Sequence, residues 1–315
     1  MTAWCVREVL AWATRWLERC GVAGAATDAA ILLGEVLGTD RAGVYAQGDR
    51  EVTPEQLRAF WRLVRRRARR EPLAYITGRR DFMSLGFLVD RRVLIPRPET
   101  EILIEEALAR LRGYAAGPAS RCGGAGGGTA DGAGGGTVRV ADVGTGSGAI
   151  AVSLAYYLPG CRVVASDVSP GALEVARENA RRHGVAGRVT FVEGDGPEPL
   201  RPWAPYAAIL CNPPYVGEGE EVDPEVRYEP REAWFAGPDP LDPYRKLVAA
   251  VELLEPGGFL AVEVGAGRAP AVVEVFARYL VDMAVREDLA GIPRVVVGHA
   301  PVHPRGRECA SGGCP

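Results

Sequence analysis

No stretch of the 315-residue sequence is apolar for long enough to cross a membrane as a helix, so no membrane attachment is expected. The opening residues, MTAWCVREVLAWATRWLERC, lack the uninterrupted apolar centre of a secretion signal. Arg7, Glu8, Arg15, Glu18 and Arg19 fall through it at intervals. They read as an amphipathic helix, and the expected location is the cytoplasm. Cysteine follows no framework: Cys5, Cys20, Cys122, Cys161, Cys211, Cys309 and Cys314 are scattered, and a cytoplasmic chain would keep them reduced. Positive charge is not in excess, the formal net charge being -3, so no stable nucleic-acid binding is expected and any basic surface must be local. A metal site is not expected either. His299, His303, Cys309 and Cys314 are loosely spaced in a Gly/Pro-rich segment that reads as an unmetallated, flexible tail over residues 299–315. No coiled coil or apolar stripe stands out, and a monomer is expected.

What is present is a globular composition, 47% apolar and 24% charged, in a chain long enough for one large or two modest domains. Residues 1–75 show apolar residues at spacings of three and four in VREVLAWATRWL, TDAAILLGEVLG and PEQLRAFWRLVRR, which predicts an all-helical region. Thr27-Asp28 and Thr53-Pro54 are candidate helix starts and Gly38 a candidate stop. The six arginines of RLVRRRARRE read first as a solvated helix end complementing the helix dipole, and second as a contact for a polyanion or acidic partner. Residues 76–98 carry two β-like runs, Phe87-Leu88-Val89 and Val93-Leu94-Ile95, that predict a hairpin linker. From residue 99 to 298 helical and strand patterns alternate, which means a mainly parallel sheet covered by helices. Only residues 113–136 break it, as a Gly/Ala-rich insertion expected to be flexible.

Chemistry concentrates at the ends of the predicted strands. VRVADVGTGSGAIAVSLA is a strand, a glycine turn and a helix, with Gly144, Gly146 and Gly148 around Thr145 and Ser147. Glycine permits positive φ and close approach of a ligand to the backbone, but the GxGxG spacing is not the GxGxxG of dinucleotide binders, since position 149 is Ala. Asp142 ends the first strand, Asp167 the second and Asp195 the third. A carboxylate at Asp167 suits the two ribose hydroxyls of a nucleoside cofactor, and one at Asp142 suits an ammonium group. Each could instead cap a helix. After the fourth strand, ILCNPPYVG places Asn212 and Tyr215 on a loop stiffened by Pro213 and Pro214. That stretch is either a plain turn or a clamp for a flat polar group.

DVGTGSG, then Asp167, then NPPY resembles the class I S-adenosylmethionine-dependent methyltransferases. REPLAYITGRRDF, FLVDRRVLIPRPETE, RYEPREAWFAGPDPLDPYRKL and DLAGIPRVVVGH extend the resemblance to the protein-(glutamine-N5) methyltransferases of peptide chain release factors, the PrmC/HemK family. It covers nearly the whole chain apart from 113–136 and the last dozen or so residues. It implies a Rossmann-like, seven-stranded, mainly parallel sheet with an antiparallel strand at the end. It further implies a small helical domain at 1–75 that helps hold the substrate protein. The substrate would be the glutamine of the Gly-Gly-Gln loop of release factors. Gly144 to Gly148 would line the methionine part of S-adenosylmethionine and Asp167 hold its ribose. Asp195 and Gly196 would lie at the adenine, although some members carry a bulky aromatic at the Gly196 position. Asn212, Pro213, Pro214 and Tyr215 would hold the substrate amide.

An amide nitrogen is a poor nucleophile because its lone pair is delocalised into the carbonyl. On this reading the Asn212 side-chain oxygen and the Pro213 carbonyl each accept one amide N–H, and Tyr215 packs on the flat face and excludes water. Positioning of this kind is worth about 7–11 kcal/mol in favourable cases, and no general base is nominated. The rival activities are glutamine methylation of a ribosomal protein and adenine-N6 methylation of a flipped base in DNA or RNA. A nicotinamide-dependent oxidoreductase and a non-catalytic module fit the glycine spacing and intact motifs less well.

Overall fold

The structure, a computed structural model, describes residues 4–116 and 137–302. Most of the glycine-rich insertion, and His303, Cys309 and Cys314 of the tail, lie outside the described residues. The insertion begins later than its composition suggests, because the helix before it continues to Ala116. The chain divides into two compact units. One runs to Arg80 and adds Leu88–Arg91 and Glu221–Pro230; the other comprises Asp81–Phe87, Arg92–Glu220 and Arg231 onward. No helix among the described residues is long and apolar enough to cross a membrane.

The first unit holds α1 (Val6–Arg19), α2 (Ala25–Leu37), α3 (Arg41–Ala46), α4 (Pro54–Ala68) and α5 (Leu73–Thr77). Thr53 caps α4 in a capping box, its hydroxyl accepting from Gln56 N at 3.2 Å while Gln56 Oε1 accepts from Thr53 N at 3.1 Å. Gly38 ends α2 in the left-handed conformation, as its sequence position suggests. Thr27-Asp28 is not a helix start. The helix begins at Ala25 behind a left-handed Gly24, and Asp28 is spent elsewhere. The apolar faces meet around Leu17, Leu32, Leu33, Phe60 and Val64.

The arginine run is a solvated helix end only in part: Arg62, Arg65 and Arg69 are exposed, whereas Arg66, Arg67 and Arg70 are paired. Arg67 is only 4% exposed. Its Nε donates to Asp28 Oδ2 at 2.6 Å and its Nη2 to Glu225 Oε1 at 2.9 Å. Arg70 donates to the same Glu225 oxygen at 2.9 Å and to Asp223 at 2.8 Å. Arg66 forms a two-pronged pair with Glu71, which holds that carboxyl down at about 2. The acidic partners of Arg66, Arg67 and Arg70 are the chain's own Asp28, Glu71, Asp223 and Glu225.

The predicted hairpin exists but sits earlier, as β1 (Arg79–Phe82) and β2 (Leu85–Leu88). Its two-residue turn, Met83-Ser84, has φ of 49° and 56°, which ordinarily calls for Asn or Gly. Tertiary contacts impose it: Met83 N donates to Glu101 at 2.7 Å, and the Tyr157 hydroxyl donates to Met83 O. Val93 and Ile95 are buried, but Val93–Ile95 forms no strand.

The second unit continues with α6 (Pro98–Ala116), β3 (Val138–Val143), α7 (Ala149–Tyr157), β4 (Cys161–Asp167), α8 (Pro170–Arg182) and β5 (Val189–Glu193). Then come β6 (Tyr206–Cys211), β7 (Val216–Gly217), β8 (Phe235–Gly237), α9 (Asp242–Leu247), β9 (Leu254–Glu263), α10 (Ala269–Phe276), β10 (Val281–Glu287) and β11 (Pro293–His299). The large sheet has seven strands in the order β10-β11-β9-β6-β3-β4-β5. Strand β11, the last described strand, is antiparallel to both neighbours and lies between β9 and β10; the other described pairings of this sheet are parallel. Strand β6 is buried at every position, as a central parallel strand must be. The chain runs outward from β3 through β4 to β5 and then returns to the other side of β3 as β6. Ligands of open α/β sheets bind at the carboxyl ends of the strands at such a reversal.

Candidate active site

Two loops leave the sheet at the reversal. Strands β3 and β6 are in register through Val143 and Cys211, so the glycine turn and the NPPY stretch depart side by side. Strand β4 adds Asp167 one residue beyond the Val143–Ser166 pairing.

In the glycine turn Gly144, Gly146 and Gly148 all have positive φ, at 71°, 55° and 81°. A Cβ at Gly144 or Gly146 would meet nothing within 4 Å, so the turn has an open face, whereas one at Gly148 would press on Ala176 of α8 at 3.1 Å. Asp142 is fully buried beneath the turn. Its Oδ2 accepts from the Thr145 hydroxyl at 2.6 Å and from Ala151 N at 3.1 Å, while Oδ1 has no hydrogen-bond partner. Burial pushes this carboxyl up to about 7 against the pull of those two donors. Asp167 Oδ2 accepts from Gly146 N at 2.8 Å and Oδ1 from Ser169 N at 2.9 Å, which ties the second strand end to the turn. Burial raises its carboxyl too, and these two N–H groups oppose the rise. Ser147 is buried, and its carbonyl accepts from Asn179 Nδ2 at 2.8 Å. Asp142, Thr145, Gly146 and Asp167 thus form one bonded cluster. Asp195 does not join it. It lies two residues beyond the end of β5, its side chain is 78% exposed, and its carboxylate is 4.0 Å from Lys246. The Gly196 carbonyl lies 3.5 Å from Ser166 Oγ.

Beyond β6, Asn212 is half-buried, Pro213 buried, and Pro214 and Tyr215 half-buried. The chain after Tyr215 is held at once by the parallel pair β7 and β8, through Val216 N to Trp234 O at 3.0 Å and Glu218 N to Gly237 O at 3.1 Å. Burial raises the Tyr215 phenol to about 12, so it stays neutral. Three residues with no signal of their own in the sequence support the loop. Thr100 Oγ1 accepts from Asn212 Nδ2 at 3.1 Å and donates to Glu263 Oε2 at 2.6 Å. Gly265 leaves room for the Tyr215 ring, whose Cδ2 would be 3.0 Å from any Cβ there. Thr100 stands in IPRPETE, whose specificity was visible as a motif while its contacts were not.

Among known proteins, the family described as PrmC N-terminal domain matches residues 8–78, and that described as methyltransferase small domain matches residues 135–228. A release factor glutamine methyltransferase of Geobacter sulfurreducens is 44% identical over 300 residues, covering 94% of this chain and 96% of the relative. One of Moorella thermoacetica is 42% identical, covering 86% and 89%. This chain belongs to the release factor glutamine methyltransferase family. The hMettl16 catalytic domain, solved in complex with a 3′UTR hairpin, superposes with a TM-score of 0.53 at 15% identity, covering 77% of this chain and 83% of that one. That likeness is one of fold; the seven-stranded order, with the match to the methyltransferase small domain, gives the second unit the class I, Rossmann-like methyltransferase fold. Family members therefore share with this chain both the helical unit and the sheet that carries the NPPY loop.

Proposed function

We propose that this chain methylates the side-chain amide nitrogen of the glutamine in the Gly-Gly-Gln loop of peptide chain release factors, with S-adenosylmethionine as donor, in the cytoplasm and as a monomer. The observation that carries the reading is the departure of the glycine turn and of Asn212 from neighbouring strand ends at one sheet reversal. The target protein is inferred from the relatives, whose names specify release factor glutamine.

The residues present fit the donor. Asp142, whose buried Oδ1 has no partner, would hold its ammonium, and the open face of the glycine turn would line its methionine part. Asp167, its carboxylate oriented by two backbone N–H groups, would hold the ribose. Asp195 and Gly196 are assigned to the adenine end. When bound, S-adenosylmethionine supplies an electrophilic methyl group on a sulfonium. The chain's own contribution is to hold the nucleophile in line. Asn212 directs its amide nitrogen at Thr100, so its Oδ1 is left to accept one substrate N–H, and the Pro213 carbonyl accepts the other. Both bonds favour charge building on the nitrogen as the methyl arrives. Pro214 stiffens the loop, and Tyr215, neutral and half-buried, covers the amide face. The product then releases its proton to solvent. Of the arginine run, Arg66, Arg67 and Arg70 are paired with the chain's own carboxylates, which leaves Arg62, Arg65 and Arg69 as its exposed cations.

The test is methyl transfer from labelled S-adenosylmethionine to a purified release factor, to the same factor with its loop glutamine replaced, to a ribosomal protein fraction and to duplex DNA. Label is expected on the intact factor alone, and Asn212→Ala is expected to lower kcat by about 10²–10³. Label on the replaced factor, the ribosomal proteins or the DNA would overturn the substrate assignment.

A further inference from the structure

The Asn212 clamp works only if the side-chain amide faces the right way, since its two ends differ by one being donor and the other acceptor. What chooses the face lies behind it. Thr100, in the first turn of α6, and Glu263, the last residue of β9, are both buried, Glu263 at 1% exposure. A hydroxyl has a single proton. In Thr100 that proton is committed to Glu263 Oε2 at 2.6 Å, so toward Asn212 the same oxygen offers only a lone pair, filled by Nδ2 at 3.1 Å. A flipped Asn212 would set its oxygen against that lone pair. We propose that Thr100 and Glu263 are positioning residues for methyl transfer: Glu263 fixes the Thr100 proton, and the Thr100 oxygen thereby fixes which end of the Asn212 amide meets the substrate. The inference rests on the reading of Asn212 as the substrate clamp.

The carboxylate is rigidly held. Strand β9 is paired on both sides, by β6 and β11, and the Glu263 carbonyl accepts from the Tyr244 hydroxyl at 3.1 Å. Polarity runs from Asn212 to Thr100 to Glu263 as long as Glu263 is an acceptor. Once protonated, it can donate to Thr100, and the freed hydroxyl proton then favours the flipped amide. Burial pushes the Glu263 carboxyl up to about 7, with the Thr100 hydroxyl opposing; Glu99 raises it, and Arg294 of β11 and Arg97 before α6 lower it. Cys211 of β6, Tyr215 beyond it and Tyr244 of α9 also face it and stay neutral, since burial raises all three. The reversal of polarity therefore falls near neutral pH.

The experiment measures kcat, KM for the release factor and the Kd of S-adenosylmethionine in the full-length protein, for Thr100→Val, Thr100→Ser, Glu263→Gln and Asn212→Ala. Thr100→Val is expected to lose about tenfold or more in kcat, the value of one misdirected hydrogen bond. Its cofactor Kd should stay within about twofold of the original, and Thr100→Ser, which restores the hydroxyl, should recover most of the rate. The acid limb of the kcat profile near neutral pH is expected in the unaltered enzyme and absent from Glu263→Gln. An inactive Asn212→Ala beside a fully active Thr100→Val would overturn this proposal and leave the clamp standing. An active Asn212→Ala would overturn the clamp itself. Should Thr100→Val fail to fold, the pair Thr100→Ser and Glu263→Gln decides: a slow serine variant, or the same acid limb in Glu263→Gln, overturns the proposal.

Discussion

Asp142 keeps Oδ1 buried without a partner while Oδ2 takes two donors. Leaving a buried carboxylate oxygen unpaired costs stability, and such groups gather at functional sites. Asp142→Asn removes the buried charge and keeps the shape. At pH 8 the variant is expected to melt at a higher temperature than the unaltered chain and to bind S-adenosylmethionine about tenfold more weakly, the loss of one charge-assisted hydrogen bond. Calorimetry with and without cofactor checks both. A variant that melts higher at unchanged affinity would make Asp142 a loop-folding residue only. Asp142 and Asp167 were visible in the sequence because strand-end acids next to a glycine turn are local patterns. Thr100, Glu263 and Gly265 were not, since their roles arise from contacts across 112 residues in one case and 163 in another.

At the scale of elements, the periodicities predict which stretches are helix and strand, with Thr53 at the start of α4 and Gly38 at the end of α2, and failures come where long-range contacts override local preference. The sequence predicts a hairpin of Phe87–Val89 against Val93–Ile95, yet the chain turns at Met83-Ser84, residues with no turn signal that are pinned by Glu101 and Tyr157. The arginine run reads as solvated, and Arg62, Arg65 and Arg69 are exposed, but composition does not reveal that Asp28 and Glu225 meet Arg67. Arg67→Met would leave those two carboxylates facing each other without their shared cation. Breaking a buried pair in this way costs about 3–5 kcal/mol, so urea unfolding of the full chain should show a loss of that order. A loss below about 1 kcal/mol would return Arg67 to the class of solvated surface pairs.

For the molecule as a whole, three buried carboxyls set opposing trends with pH. Asp142 and Glu263 sit at about 7 in the folded chain, above their ordinary 3.8 and 4.5. Their contribution is complete below those ordinary values and is lost as pH rises through about 7. Glu71, held at about 2 by Arg66 and Arg91, contributes fully above 4.5 and loses its contribution as pH falls through about 2. The contribution of these three groups to the stability of the cofactor-free protein is therefore expected to be largest near about pH 4–5 and to fall on both sides. Melting temperatures from pH 3 to pH 9 would check it. A steady rise from about pH 5 to 8 would mean that Asp142 and Glu263 are ionised and well partnered at neutral pH.

The sequence by itself determined the family, the alternation of strand and helix, the glycine turn with Asp142 and Asp167, and the NPPY loop, because these are short-range patterns of residue type and spacing. Only the tertiary structure decided that segment 221–230 packs with the helical unit, that Asp195 stands exposed, and that Thr100 and Glu263 lie behind Asn212. The physical reason is that a hydrogen bond or ion pair between residues far apart in the chain depends on the path of everything between them, and no local pattern records that path.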